Sequence, residues 1–138
     1  MHTTFTINTN GPGLYEFTNQ VENWVRQNGI RAGLLTLFCQ HTSCSLLIQE
    51  NADPDVKRDM NEFFKRLVPP ANDPSMSWVI HTAEGPDDMP AHIKAAMLPV
   101  SLSIPISEGR LALGTWQGIY VFEHRERGHI RRIVGQVS

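Results

Sequence analysis

The chain has 138 residues, enough for one domain with a real hydrophobic core and too few for two. With 41% apolar and 19% charged residues it is globular rather than disordered. Its formal net charge of -2 argues against a nucleic-acid partner, and no apolar run is long enough to span a membrane.

Along the chain, Thr3 to Asn8 reads as a strand, Gly11-Pro12-Gly13 as a turn and Leu14 to Phe17 as a second short strand. Phe17, Val21, Trp24 and Val25 follow helical spacing, and Gly29 is placed to end that helix. Gly33 to Cys39 and Ser45 to Gln49 are short apolar runs, read as buried strands, with Gln40-His41-Thr42-Ser43 between them. Asp53-Pro54 is a helix start, because aspartate caps free N–H groups and proline fits the first helical position. Val56, Met60, Phe63, Phe64 and Leu67 then form one apolar face; Asp59 is expected at its border, partly shielded from water. Pro69-Pro70 stops the helix. Trp78 to His81 is expected as a strand, followed by a loop and a second capped helix from near Asp88 to Leu98. Val100 to Ile106, Leu111 to Leu113, Gln117 to His124 and Ile130 to Val137 complete a meander. The pattern predicts an α+β fold with a mostly antiparallel sheet or open barrel and helices packed on one side.

The two cysteines, Cys39 and Cys44, form neither a CxxC motif nor a disulfide framework, and read as reduced thiols of a cytoplasmic protein. Met1 to Thr4 lacks the basic and apolar stretches of a signal peptide. Arg125, Arg127, Arg131 and Arg132 are either a solvated strand edge or a phosphate-binding patch.

Four of the six histidines, His41, His81, His92 and His124, fall where an element ends or begins, which is where scaffolds present functional side chains. The segment from His81 to His92 is the densest. If Asp88 caps the helix, His92 lies one turn on, and the positive helix end favours its neutral form. Two such histidines with nearby carboxylates suit Zn²⁺ or another divalent ion. Alternatively, Asp87 and Asp88 only cap the helix and one of them binds His92. Thr42 and Ser43 beside His41 offer donors for a phosphate, or form an ordinary strand connection. Trp116 and Gln117, between Gly114 and Gly118, form either a packed bulge or a flat wall with a polar edge reader for an aromatic ring. Glu123 shares the strand face of Gln117, so it meets the same ligand or faces the core.

Taken together, Gln40-His41-Thr42-Ser43, Glu50-Asn51-Ala52-Asp53-Pro54, Asp59, the run from Glu84 to Lys94, Leu113 to Gly118 and Glu123-His124-Arg125 resemble the YjbQ-like family, also described as the secondary thiamine-phosphate synthase family. The resemblance covers nearly the whole chain in order. It implies a compact α+β subunit assembling as a homotrimer, with a polar site around His41, His81 and His92 able to hold a divalent metal, Zn²⁺ or Mg²⁺. The implied activity joins a pyrimidine methyl diphosphate to a thiazole phosphate and releases pyrophosphate. In that reading His41, Asp59, His81, His92 and Glu123 are the catalytic candidates. Thr42, Ser43, Lys94, Trp116, Gln117 and Arg125 would bind the phosphorylated substrate, with Lys94 and Arg125 offsetting charge on the leaving diphosphate. The dedicated enzyme for this step is a TIM barrel, and this chain is far too short to form one. A non-catalytic trimeric binder of a metal or phosphorylated metabolite is the alternative.

Overall fold

A computed structural model describes all residues, Met1–Ser138, as two antiparallel sheets with helices over one of them. The elements in order are β1 (His2–Asn8), β2 (Gly13–Glu16), α1 (Thr18–Gln27), β3 (Gly33–Cys39), β4 (Cys44–Glu50), α2 (Pro54–Leu67), α3 (Asp88–Met97), β5 (Ser101–Ser107), β6 (Arg110–Leu111), β7 (Gln117–Glu123) and β8 (Ile130–Val137). The larger sheet runs β1-β8-β3-β5-β6 and the smaller β2-β7-β4. No helix is long and apolar enough to cross a membrane.

Alternation in the strands explains how the layers meet. Phe5 and Ile7 of β1, Leu35 and Leu37 of β3, Ile104 and Ile106 of β5 and Ile133 of β8 point to one face of the larger sheet. They meet Leu46 of β4 and Ile119 and Val121 of β7, while Phe17, just before α1, and Val21 and Val25 of α1 fill the same core. β7 is buried on both faces: on its other side Tyr120 and Phe122 lie under the helices, and Phe64 of α2 meets the Phe122 ring edge-on at 5.6 Å. Burial on both faces makes β7 the central plank of the molecule.

Local chemistry sets the element ends. Asp53 Oδ1 accepts the Asp55 N–H at 2.9 Å, and Pro54 opens α2 as expected. Glu108 and Gly109, both at positive φ (53° and 79°), form the two-residue turn between β5 and β6, a geometry that twists with the strands.

Three expectations are corrected. Trp78 to His81 is not a strand. It lies in the long connection between α2 and α3, which contains only a 3₁₀ turn at Pro74–Met76 and is closed at its base by the Ala71 N–H on the Pro86 carbonyl at 2.8 Å. The apolar face of α2 is only half covered, with Phe63 and Leu67 exposed. Asp59 is therefore not shielded: its side chain is 77% exposed and lies 3.8 Å from Arg58, which is exposed too.

Candidate functional site

The aspartates at the start of α3 do not cap it. Neither Asp87 nor Asp88 gives a side-chain cap hydrogen bond; both carboxylates are drawn elsewhere. Asp87 Oδ2 accepts from Arg125 Nε at 2.8 Å and from the Glu126 N–H at 3.0 Å. Asp88, only 6% exposed, takes Arg125 Nη1 on Oδ1 at 3.0 Å. Its other oxygen, Oδ2, lies 2.8 Å from His81 Nε2 and 3.3 Å from His92 Nε2. One donor atom from each of His81, Asp88 and His92 thus falls within 4.8 Å of the others.

Helical spacing places His92 above Asp88, four residues apart on one face. The connection between α2 and α3 brings His81 back over them, with the two imidazole rings 5.5 Å apart. His92 Nδ1 sits 2.9 Å from the Thr42 carbonyl oxygen. A carbonyl only accepts, so Nδ1 carries a proton and Nε2 is the nitrogen turned toward Asp88. Burial alone would raise the Asp88 carboxyl, but the His81 hydrogen bond and the charges of His92 and Arg125 hold it below its ordinary value. Asp87 is lowered in the same way: burial opposes ionisation, and Arg125 with the Glu126 N–H outweighs it.

Two imidazole nitrogens and a carboxylate oxygen face one point. His81 Nε2 is hydrogen-bonded to Asp88 Oδ2 here, and a divalent cation fits the same donor set. Ligands at about 2.05 Å on a tetrahedral zinc stand about 3.3 Å apart, so small rotamer adjustments bring these donors into range. The Thr42 carbonyl on His92 and Arg125 on Asp88 are the kind of supporting contacts that orient metal ligands.

The remaining predicted residues are placed as follows. His41 is near but not in the cluster. It shares a shallow depression of about 320 Å³ with Thr42 and His92, and its Nε2 accepts the Arg132 backbone N–H at 2.8 Å. Burial, with Arg131 nearby, lowers its pKa and keeps the ring neutral, so its ligating lone pair is already engaged. The third donor is therefore Asp88. Thr42 contributes its carbonyl rather than its hydroxyl, and Ser43 is turned inward, where its Oγ accepts from Arg131 Nη2 at 2.9 Å. Arg125 spans Asp87, Asp88 and the Glu84 carbonyl, so it fastens the site and is not a free phosphate ligand.

Glu123 is fully buried. It accepts from Arg131 through both oxygens, from Thr9 Oγ1 at 2.6 Å and from the His124 and Arg125 N–H groups at 3.1 Å. Burial would raise this carboxyl, but these donors hold it below the ordinary glutamate range. Arg131 is buried with it while Arg132 beside it on β8 is exposed, so the predicted arginine cluster is divided between core and surface. Lys94 is buried on another side of α3, lining a cavity of about 270 Å³ with Lys65, Arg66 and His124, and burial lowers its pKa.

Trp116 and Gln117 lie at the far end of β7. Gln117 pairs with Glu50 and Glu123 with Cys44, and six residues of strand separate them by roughly 20 Å. Trp116 is 62% exposed, and Gln117 Oε1 accepts the Gly114 N–H at 2.8 Å, closing its own loop. Within one chain the tryptophan wall and the histidine cluster are not one pocket.

The fold and site define a small two-sheet α+β protein with a two-histidine, one-aspartate cluster at a helix start. A model of the YjbQ-like UPF0047 family matches residues 3–138. The chain belongs to that family. It is 48% identical over 132 residues to the UPF0047 protein sll1880 of Synechocystis, spanning 96% of this chain and 87% of that one. It is 43% identical over 136 residues to the UPF0047 protein YjbQ of Escherichia coli O157:H7, spanning 98% and 95%. The crystal structure of a YjbQ/UPF0047 family protein from Clostridium acetobutylicum superposes with a TM-score of 0.85 at 33% identity, covering 99% of each chain.

Proposed function

We propose that this chain binds a divalent metal ion, zinc foremost, through His81, Asp88 and His92, and acts there on a phosphorylated small molecule. The observation that carries the reading is the His92 tautomer. His92 Nδ1 donates to the Thr42 carbonyl, so Nε2 is aimed at an aspartate oxygen that His81 also reaches. Three protein donors leave a coordination position open, the pattern of catalytic rather than structural zinc. His81 is 51% exposed, so that position faces solvent and a ligand reaches it from outside. A bound metal would supply Lewis acidity toward a phosphate oxygen.

The reaction to test first is the one the resemblance implies. The pyrimidine methylene loses its bond to the diphosphate oxygen, the thiazole nitrogen takes its place, and pyrophosphate leaves. The alternative, binding without turnover, gains from the position of Trp116, which lies at the opposite end of β7 from Glu123 and from the Arg125 that holds Asp88. We further propose that the subunit assembles as a homotrimer. The exposed apolar side chains Phe63, Leu67, Trp78 and Ile80 support assembly.

Zinc titration by equilibrium dialysis with elemental detection tests the site. One ion per chain is expected, with Asp88→Asn and His92→Ala weakening it about 100-fold or more while the far-ultraviolet spectrum is unchanged. A wild-type chain that takes up no zinc, manganese or magnesium refutes the metal reading. Turnover of the pyrimidine diphosphate with the thiazole phosphate, lost in Asp88→Asn, separates enzyme from binder. Sedimentation equilibrium reads the assembly state.

A further inference from the structure

Between the last residue of β3 and the first of β4 the chain crosses from the larger sheet to the smaller one. The two residues at that crossing are the two cysteines. Both are buried and reduced, and Cys39 Sγ lies 3.4 Å from Cys44 Sγ. That is contact distance for two sulfurs, and a disulfide needs about 2.05 Å, so closure asks for a movement of roughly 1.4 Å. The thiols are not equivalent. The contact between the two sulfurs lowers the Cys39 thiol against the opposing effect of burial; the same contact, together with burial, raises Cys44. Arg131 adds positive charge toward Cys39, weakly opposed by Glu123. One sulfur is thus the better nucleophile and the other keeps a proton. Cys44 also lines the shallow depression it shares with His41, Thr42 and His92, so a small oxidant approaches the pair from the Cys44 side.

We propose that Cys39 and Cys44 form a reversible dithiol–disulfide site, oxidised by hydrogen peroxide. The Cys39 thiolate attacks one peroxide oxygen, the O–O bond breaks, and hydroxide leaves and takes up a proton as water. Cys39 is then a sulfenic acid. The Cys44 sulfur attacks it, the S–S bond forms, and a second water leaves with the Cys44 proton. Two electrons pass from the two thiols to one peroxide, and an added dithiol returns them. The disulfide joins the two ends of the Gln40–Ser43 crossing, whose Thr42 carbonyl holds His92 Nδ1. Closure therefore shifts the support of His92. This second consequence rests on the proposed metal centre, and the first does not.

The test is a peroxide titration of the full chain, followed by alkylation under denaturing conditions and intact-mass measurement. The expected product is a monomeric chain 2 Da lighter with neither thiol alkylated, restored by dithiothreitol. Cys44→Ser should stop at a Cys39 sulfenic acid trapped by dimedone. Two alkylated thiols after prolonged excess peroxide, or disulfides only between chains, overturn the proposal. Zinc affinity of the reduced and oxidised chains is the second arm. A tenfold or greater change is expected, and equal affinities overturn the coupling to His92. Absence of zinc binding in the reduced chain overturns the metal centre and the coupling together, while the mass measurement still decides the dithiol.

Discussion

Glu123→Gln separates a structural carboxylate from a catalytic one. Glu123 is fully buried, and so is the guanidinium it neutralises. Removing one partner of a buried ion pair leaves an uncompensated charge and costs about 3–5 kcal/mol. For 138 residues, an unfolding entropy near 2.1 cal/mol/K per residue converts 1 kcal/mol into roughly 3–4 °C of Tm. The expected fall is therefore about 10–17 °C by calorimetry at pH 7. Glutamine keeps the shape, so the loss reports charge rather than a cavity. A double variant, Glu123→Leu with Arg131→Met, should recover most of the loss because no charge is then stranded. The pH dependence has a definite sign. The folded carboxyl titrates below its ordinary value near 4.5, so its contribution is complete above that range and is lost as pH falls through the depressed folded value. The wild-type acid transition should lie in that low window, and in Glu123→Gln this component should be missing. A Tm change under about 3 °C, with zinc affinity or turnover abolished, would refute the structural assignment and return Glu123 to the chemistry.

Arg125→Met should lower Tm by about 3–10 °C, the loss of roughly 1–3 kcal/mol from two partly buried carboxylates left without their donor, and should weaken zinc binding because Asp88 is no longer held. Asp59→Asn should change stability by no more than about 0.5 kcal/mol in urea unfolding and leave zinc affinity intact, since the side chain faces solvent. Gln117→Ala should loosen the turn after Gly114, costing about 1 kcal/mol, and leave zinc affinity unchanged, because Gln117 lies at the opposite end of β7 from the Arg125 that holds Asp88.

Sequence periodicity located most of the elements here because each buries a face against a neighbour. α1 and the alternating strands β1 and β5 are examples. Trp78 to His81 misled because a short apolar run reads as a strand whether or not a partner strand exists. Here none does, and Trp78 and Ile80 stay exposed. His81 and His92 were legible as a pair since both flank one acidic loop. Asp88 read as a helix cap because residue type and position fit that role; its diversion to the histidines depends on Arg125, which arrives from the other end of the chain. The Thr42 carbonyl left no trace in the sequence, since a backbone group carries no residue identity. Glu123 and Gln117 did share a strand face. Strand period gives facing but not distance, and the full length of β7 lies between them.

The connection between α2 and α3 is tied at its neck by Ala71 and Pro86 and is held elsewhere where His81 meets Asp88, where Arg125 holds the Glu84 carbonyl and where Met76 is buried. A loop closed at the neck can change length cheaply, since each doubling costs only about 0.6 kcal/mol in closure entropy. Its residues can thus be exchanged without disturbing either sheet, provided one histidine returns to the aspartate. The molecule is divided in this way into a frame that resists change and a replaceable canopy over the cluster. Divergence in what such proteins recognise has its least costly route through that canopy.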